Sequence, residues 1–177
     1  MDKKIIAVSA THGCGKTTIV YSIATFLKKL GKNVAIINEL ARESPFPINR
    51  EADDRTQAWI STKQVTKEIE KMDRYDYIIV DRSVLDSVCY GRVVGKPDWI
   101  SLLQANYLSE HIKKYYKAIY LLDPNFFSWN VVDGVRDTDD TFRSSVNDAM
   151  LEIFEEYKIP YKLIRSSDEI YTDLLNL

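Results

Sequence analysis

Residues 5–18 read IIAVSATHGCGKTT. An apolar run ends at Ser9, a loop carrying Gly13 and Gly15 follows, and Lys16, Thr17 and Thr18 open a segment of helical periodicity. Lacking a Cβ, Gly13 and Gly15 let successive backbone N–H groups turn inward around a phosphate. Lys16 adds a point charge, Thr17 offers a hydroxyl to Mg²⁺, and the helix that follows aims its positive end at the same anion. The stretch departs from GxxxxGK[ST] once, because Ala10 stands where the first glycine is expected. Alanine is the smallest replacement, so the same loop shape is expected, with His12, Gly13, Cys14, Gly15, Lys16, Thr17 and Thr18 around a nucleoside triphosphate. His12 reads as local packing or a modest phosphate contact, since one histidine makes no metal site.

Outward from this loop, short apolar runs alternate with segments of period 3.6, the pattern of a parallel sheet covered by helices. Strands are expected at 4–9, 33–38, 77–80, 118–122 and 161–164. The first helix starts near Lys16, buries Ile19, Val20, Ile23, Phe26, Leu27 and Leu30, and stops at Gly31, a favourable C-terminal cap. A proline-punctuated loop around Pro45 and Pro47 leads to a helix over 54–72 with Trp59, Ile60, Val65 and Ile69 as its apolar positions. Two helices broken by Gly91, Gly95 and Pro97 follow and finish near Tyr116, with Tyr115 and Tyr116 on a solvated face. Residues 125–140 lack a clean period and read as a flap. A helix over 141–157 buries Phe142, Val146, Met150, Ile153 and Phe154, and a short helix ends the chain.

The 177 residues fit one domain over 1–177, and at 45% hydrophobic the chain can bury a core. A formal charge of −2 argues against a nucleic-acid polymer as the favoured partner, though local basic patches leave it open. Cys14 and Cys89 are the only cysteines, so a disulfide framework is not expected and a reducing cytosol is the natural compartment. With no membrane-length apolar stretch and no leader pattern, the expected location is the cytoplasm, or the host's cytoplasm if the gene is viral.

Asp81-Arg82-Ser83 ends the strand Tyr-Ile-Ile-Val. Ligands of open parallel sheets sit at the carboxyl ends of strands, so Asp81 would face the phosphate loop, to hold Mg²⁺ with Thr17 or to take a proton from an attacking hydroxyl. Arg82 would brace the transferring phosphoryl group through its planar fork. Arg136, within Asp133-Gly134-Val135-Arg136, and Arg143, at the start of a helix, are placed to close over a triphosphate and exclude water. Around the end of the second strand, Glu39 and Arg42 lie where a second substrate approaches, and Phe46, Trp59 and Gln64 can add stacking and amide hydrogen bonds. These residues name a catalytic set of Lys16, Asp81, Arg82, Arg136 and Arg143 and an acceptor set of Glu39, Arg42, Phe46, Trp59, Gln64 and Arg82.

The chain resembles the P-loop kinases of the nucleoside and nucleotide monophosphate kinase group over nearly its whole length. Asp81-Arg82-Ser83 is similar to the DRY or ERS triplets of thymidylate and deoxynucleoside kinases. Glu39-Leu40-Ala41-Arg42-Glu43, a glutamine-bearing helix and DGVR with a later arginine resemble the ribosylnicotinamide kinase domain of bacterial NAD-salvage proteins and related small AAA-type P-loop ATPases. The resemblance implies an α/β fold with a five-stranded parallel sheet in order 2-3-1-4-5, a flap, and Mg²⁺-dependent transfer of the ATP γ-phosphoryl group to a small nucleoside or nucleotide. Some phage kinases of this group act on hydroxymethylated pyrimidines in DNA, an alternative the residues leave open, as they do a homodimer. An ATPase or nucleotide switch is the reading from another class. Against a guanine-specific switch, the sequence lacks Asn-Lys-x-Asp, and Asp81-Arg82-Ser83-Val84 stands where such proteins carry DxxG.

Overall fold

The computed structural model describes residues 3–48, 51–94, 99–127 and 140–177. β1 (Ile5–Ser9) is buried along its whole length, as a central strand covered on both faces must be. β3 (Tyr77–Asp81) and β4 (Tyr116–Leu122) flank it, β2 (Val34–Ile37) lies outside β3, and β5 (Lys162–Ile164) lies outside β4. Every pairing is parallel, and the order β2-β3-β1-β4-β5 is the one the resemblance implied. Successive strand residues point to opposite faces. Ile5, Ala7, Ile78, Val80, Ile119 and Leu121 enter one apolar layer, and Ile6, Val8, Ile79, Tyr120 and Leu122 enter the other.

The first layer packs against α2 (Asp54–Met72), α3 (Asp86–Val94), α4 (Trp99–Tyr115) and α5 (Asp140–Glu156). The second packs against α1 (Lys16–Lys29) and α6 (Ser167–Leu174). α1 stops because Gly31 takes φ 78. Its N–H donates to Lys28 O at 3.0 Å and that of Lys32 to Leu27 O at 3.1 Å, which satisfies carbonyls the helix would otherwise strand. α2 keeps its expected bounds because Asp53 accepts from Thr56 N at 3.1 Å while the Thr56 hydroxyl answers to Asp53 N at 3.3 Å.

Four expectations need correction. Leu30 is 49% exposed, since it sits past the last turn of α1 where the apolar face has rotated outward. Ile69 is 50% exposed, because the buried stripe of α2 runs through Ser61, Gln64, Val65, Glu68 and Met72 and so takes in three polar residues in its place. Gly91 does not break a helix but lies inside α3. Tyr116 is no solvated helix residue; it opens β4 and is buried. The β1/β4 register slips between Ile5↔Tyr116 and Ile6↔Ala118, with Lys117 as the extra residue, so Tyr116 and Ile119 enter the same layer. Of the expected flap over 125–140, residues 128–139, Arg136 among them, lie outside the described residues. Among the described residues no helix is long and apolar enough to cross a membrane.

Candidate functional site

The carboxyl ends of β1, β2 and β3 bring Lys16, Thr17, Glu39, Asp81 and Arg82 together. Gly13 (φ 78) and Gly15 (φ 68) take left-handed conformations that side chains with a Cβ rarely adopt, and they turn the loop into the first turn of α1. Ala10 is fully buried in the apolar layer beneath, so the methyl group at the first-glycine position fills core space rather than the loop. Lys16 is 6% exposed and donates to Thr11 O at 2.7 Å. Burial, then the nearby Arg82 charge, lowers its ammonium to about 8, against the pull of Glu39 and Asp81. The Thr17 hydroxyl donates to Asp81 Oδ2 at 2.6 Å. Asp81 Oδ1 is buried and has no hydrogen-bond partner among the described residues. A hydroxyl beside a carboxylate with an open oxygen fits one Mg²⁺ held mainly by phosphates and water. Among the described residues no cluster of three metal-ligating side chains would cage a metal by protein alone.

Arg82 follows at φ 85, an uncommon conformation for a residue with a side chain. Its backbone is held from both sides: its N–H donates to Val8 O at 3.0 Å, and its carbonyl accepts from Gln64 Nε2 at 2.8 Å. The turn aims the guanidinium at Glu39 Oε1 (2.6 Å) and the Tyr90 hydroxyl (3.1 Å), with Asp86 Oδ2 at 3.9 Å. Arg42 Nε donates to the other Glu39 oxygen at 3.0 Å. Burial acts to raise the Glu39 carboxyl, but Arg82, Lys16 and Arg42 outweigh it and hold it at about 2. Glu39 is therefore a firmly ionised group between two arginines.

Two clefts meet here. The first is lined by His12, Gly13, Gly15, Lys16 and Thr17 together with Glu39, Ala41, Arg42, Ile48 and Arg82. The second is walled by apolar Leu40, Ile48, Ala52 and Ile60, and its deep end carries Gln64, Asp81, Arg82, Asp86 and Tyr90. Glu39, Ala41, Ile48 and Arg82 line both. Phe46 and Trp59 line neither of these clefts: the Arg55 guanidinium lies 5.3 Å from the Phe46 ring centre and the Lys63 ammonium 4.3 Å from that of Trp59. The His12 ring stacks on Phe142 with centres 5.9 Å apart, which brings the first turn of α5, and with it Arg143, beside the phosphate loop. Thr18 and Cys14 belong to the loop, Thr18 exposed and Cys14 buried.

Asp86 and Tyr90 were not among the sequence candidates. Burial pushes the Asp86 carboxyl above its ordinary range, even with Arg82 and the Ser83 and Ser9 hydroxyls favouring its ionised form. Their spacing was visible as one helical turn, Asp86 to Tyr90, starting a few residues after Asp81.

A family described as AAA domain matches residues 5–169. No curated protein matches the sequence. Among solved structures, thymidylate kinase from Ehrlichia chaffeensis superposes with a TM-score of 0.65 at 13% identity, covering 99% of this chain and 98% of that one. Deoxyadenosine kinase from M. mycoides with bound dATP gives 0.65 at 17%, covering 98% and 100%. Thymidylate kinase from Candida albicans gives 0.63 at 15%, covering 98% and 90%. At these identities the likeness establishes the fold, a P-loop fold of the nucleoside and nucleotide kinase type.

Proposed function

This chain belongs to the AAA domain family, and from that premise we propose that it is a Mg²⁺-dependent kinase that transfers the ATP γ-phosphoryl group to a small nucleoside or nucleotide. One observation carries the reading: a phosphate-loop cleft and a second, apolar-walled cleft share Glu39 and Arg82 in a common wall. A phosphoryl donor in one and a hydroxyl or phosphate acceptor in the other would meet at that wall. A hydrolase or switch has no use for the second cleft.

In this reading the backbone N–H groups from Gly13 to Thr17 cradle the phosphates, and Lys16 leaves Thr11 O for the β- and γ-phosphate oxygens. Thr17 and Asp81 would hold Mg²⁺, which when bound would supply charge neutralisation for the phosphates. Arg82 meets the charge that develops on the transferred group, and Arg143, in the first turn of α5, adds a second guanidinium to it. Glu39 orients the acceptor hydroxyl by accepting its hydrogen bond. A carboxylate held at about 2 is a weak base, so the rate depends on positioning and charge rather than on early proton removal, as suits a loose phosphoryl transition state.

The test is ATP turnover with and without a panel of nucleosides, nucleotides, ribosylnicotinamide and hydroxymethylpyrimidine DNA. Turnover that requires a small acceptor, with phosphate recovered on it, is expected. Hydrolysis indifferent to every acceptor refutes the reading in favour of an ATPase or switch, and transfer confined to DNA refutes the small-molecule acceptor.

A further inference from the structure

Gln64 is 4% exposed and lines the second cleft. Its amide nitrogen lies 2.8 Å from the Arg82 carbonyl and 3.0 Å from Glu68 Oε1. A main-chain carbonyl has no hydrogen to give, and Glu68 Oε1 already accepts from the Tyr116 hydroxyl at 2.7 Å, so the amide must turn its NH₂ toward both. With both N–H groups engaged, only the carbonyl oxygen of Gln64 remains, and it accepts no hydrogen bond among the described residues.

Glu68 is fully buried on the side of Gln64 away from the cleft. Its Oε2 lies 2.7 Å from His111 Nε2, and the Tyr116 hydroxyl that donates to Oε1 accepts in turn from Val84 N at 3.3 Å. Neither Glu68, His111 nor Tyr116 lines the second cleft. The deep end of the cleft also carries Asp86, whose Oδ2 lies 3.9 Å from the Arg82 guanidinium. Asp86 Oδ1 takes the hydroxyls of Ser9 (2.8 Å) and Ser83 (2.6 Å), while its buried Oδ2 has no hydrogen-bond partner among the described residues. The neighbouring hydroxyls of Thr56 and Ser87 are committed to Pro47 O at 3.0 Å and Val84 O at 2.9 Å.

We infer that Glu68, backed by His111 and Tyr116, is a positioning residue that locks the Gln64 carbonyl toward the cleft, so that the cleft selects acceptors whose ring edge carries an N–H donor. An exocyclic amino or carboxamide group gives an N–H to Gln64 Oε1, whereas a keto oxygen or carboxylate at the same place faces a lone-pair-bearing oxygen with no hydrogen to share. A site built around an open acceptor discriminates against an analogue that cannot donate more sharply than an apolar pocket discriminates by size. The inference rests on the kinase reading, because a cleft that takes no acceptor has nothing to select.

The experiment measures binding to the whole protein by calorimetry for matched pairs: cytidine and uridine, adenosine and inosine, ribosylnicotinamide and its nicotinic acid counterpart. The donor-bearing member of at least one pair is expected to bind roughly tenfold more tightly or better. Glu68→Met, which removes one of the two acceptors that hold the Gln64 amide and leaves the other to hold it alone, should bring that ratio below about threefold. Glu68→Gln should preserve it, since its carbonyl can still accept from Gln64 and Tyr116 while its amide turns to His111. A merely structural Glu68 would lower the melting temperature of Glu68→Met and leave the ratio intact, which overturns the inference. Should Glu68→Met fail to fold, a ratio that survives in Gln64→Leu overturns it equally. Equal binding within every pair, with acceptor-dependent transfer intact, overturns the inference and leaves the kinase reading standing. No binding by any member, with ATP hydrolysis indifferent to acceptor, overturns both.

Discussion

Nucleotide binding at the phosphate loop must change the ionisation of Lys16. In the unliganded protein burial and the Arg82 charge bring its ammonium from 10.5 down to about 8. A bound triphosphate supplies the opposite charge that the desolvated ammonium lacks and returns it to its ordinary range. At about pH 9 the free protein carries the proton on roughly one molecule in ten, so each binding event takes up about 0.9 proton; at about pH 8 the uptake is about one half. The apparent dissociation constant then rises roughly tenfold between about pH 7 and about pH 9. Calorimetry with a non-hydrolysable ATP analogue, in two buffers of different ionisation enthalpy, reads the uptake directly. The terminal phosphate ionises near pH ~6 and is silent at the upper end, so a signal there belongs to the protein. Uptake below about 0.2 proton at about pH 9, or equal uptake by a folded Lys16→Met variant, refutes the assignment of Lys16 to the triphosphate.

Asp81→Asn should bind ATP within about threefold of the parent and transfer phosphate roughly a hundredfold more slowly, because the amide is a poor Mg²⁺ partner; an unchanged rate in a steady-state assay across about pH 6 to 9 would leave Asp81 only as an anchor for Thr17. Glu39 contributes acid stability: its carboxyl is depressed from 4.5 to about 2, so about 3 kcal/mol is present above about pH 4.5 and lost as pH falls toward 2. Urea melts over that window should be visibly flatter for Glu39→Gln, and parallel curves count against the ion pair. Phe154 is fully buried whereas Ile69 is 50% exposed; Phe154→Ala should cost about 3 to 5 kcal/mol and Ile69→Ala less than about 0.5 in the same melts, and comparable losses would contradict the packing.

The parts of the site legible in the sequence were those fixed by local spacing. The phosphate loop declares itself because glycine, lysine and threonine positions are set by one anion within a single turn, and α2 was bounded correctly because Asp53 and Thr56 are neighbours in the chain. Asp81, Arg82 and Glu39 could be placed because parallel strands end on the ligand side. Ile69 and Leu30 were misread because apolar residues at helical spacing look alike until the neighbouring element is known. Glu68 was invisible for the same reason: its partners His111 and Tyr116 come from α4 and β4, and nothing local distinguishes a buried glutamate from a solvated one. Tyr116 was hidden by a register slip that no period in the sequence records. Phe46 and Trp59 were named from aromatic character alone, and the structure sets both apart from the two clefts.

The placement of β1 has a consequence for how the chain is made. Its two partners are β3, whose first contact is Ile78 opposite Ile5, and β4, which meets Ile5 at Tyr116. As a ribosome extends the chain, Ile5, Ile6, Ala7 and Val8 emerge ahead of both partners and have no strand to pair with until β3 has followed. An apolar strand with open hydrogen-bonding edges is the kind of segment that recruits other chains, and a parallel sheet closes only over long loops. Nascent chains arrested before Tyr77 should therefore lack protected amides in β1 and depend on chaperone shielding, with protection appearing abruptly once residues up to Asp81 clear the exit tunnel. The strand at the centre of the finished sheet is the one that waits longest for company.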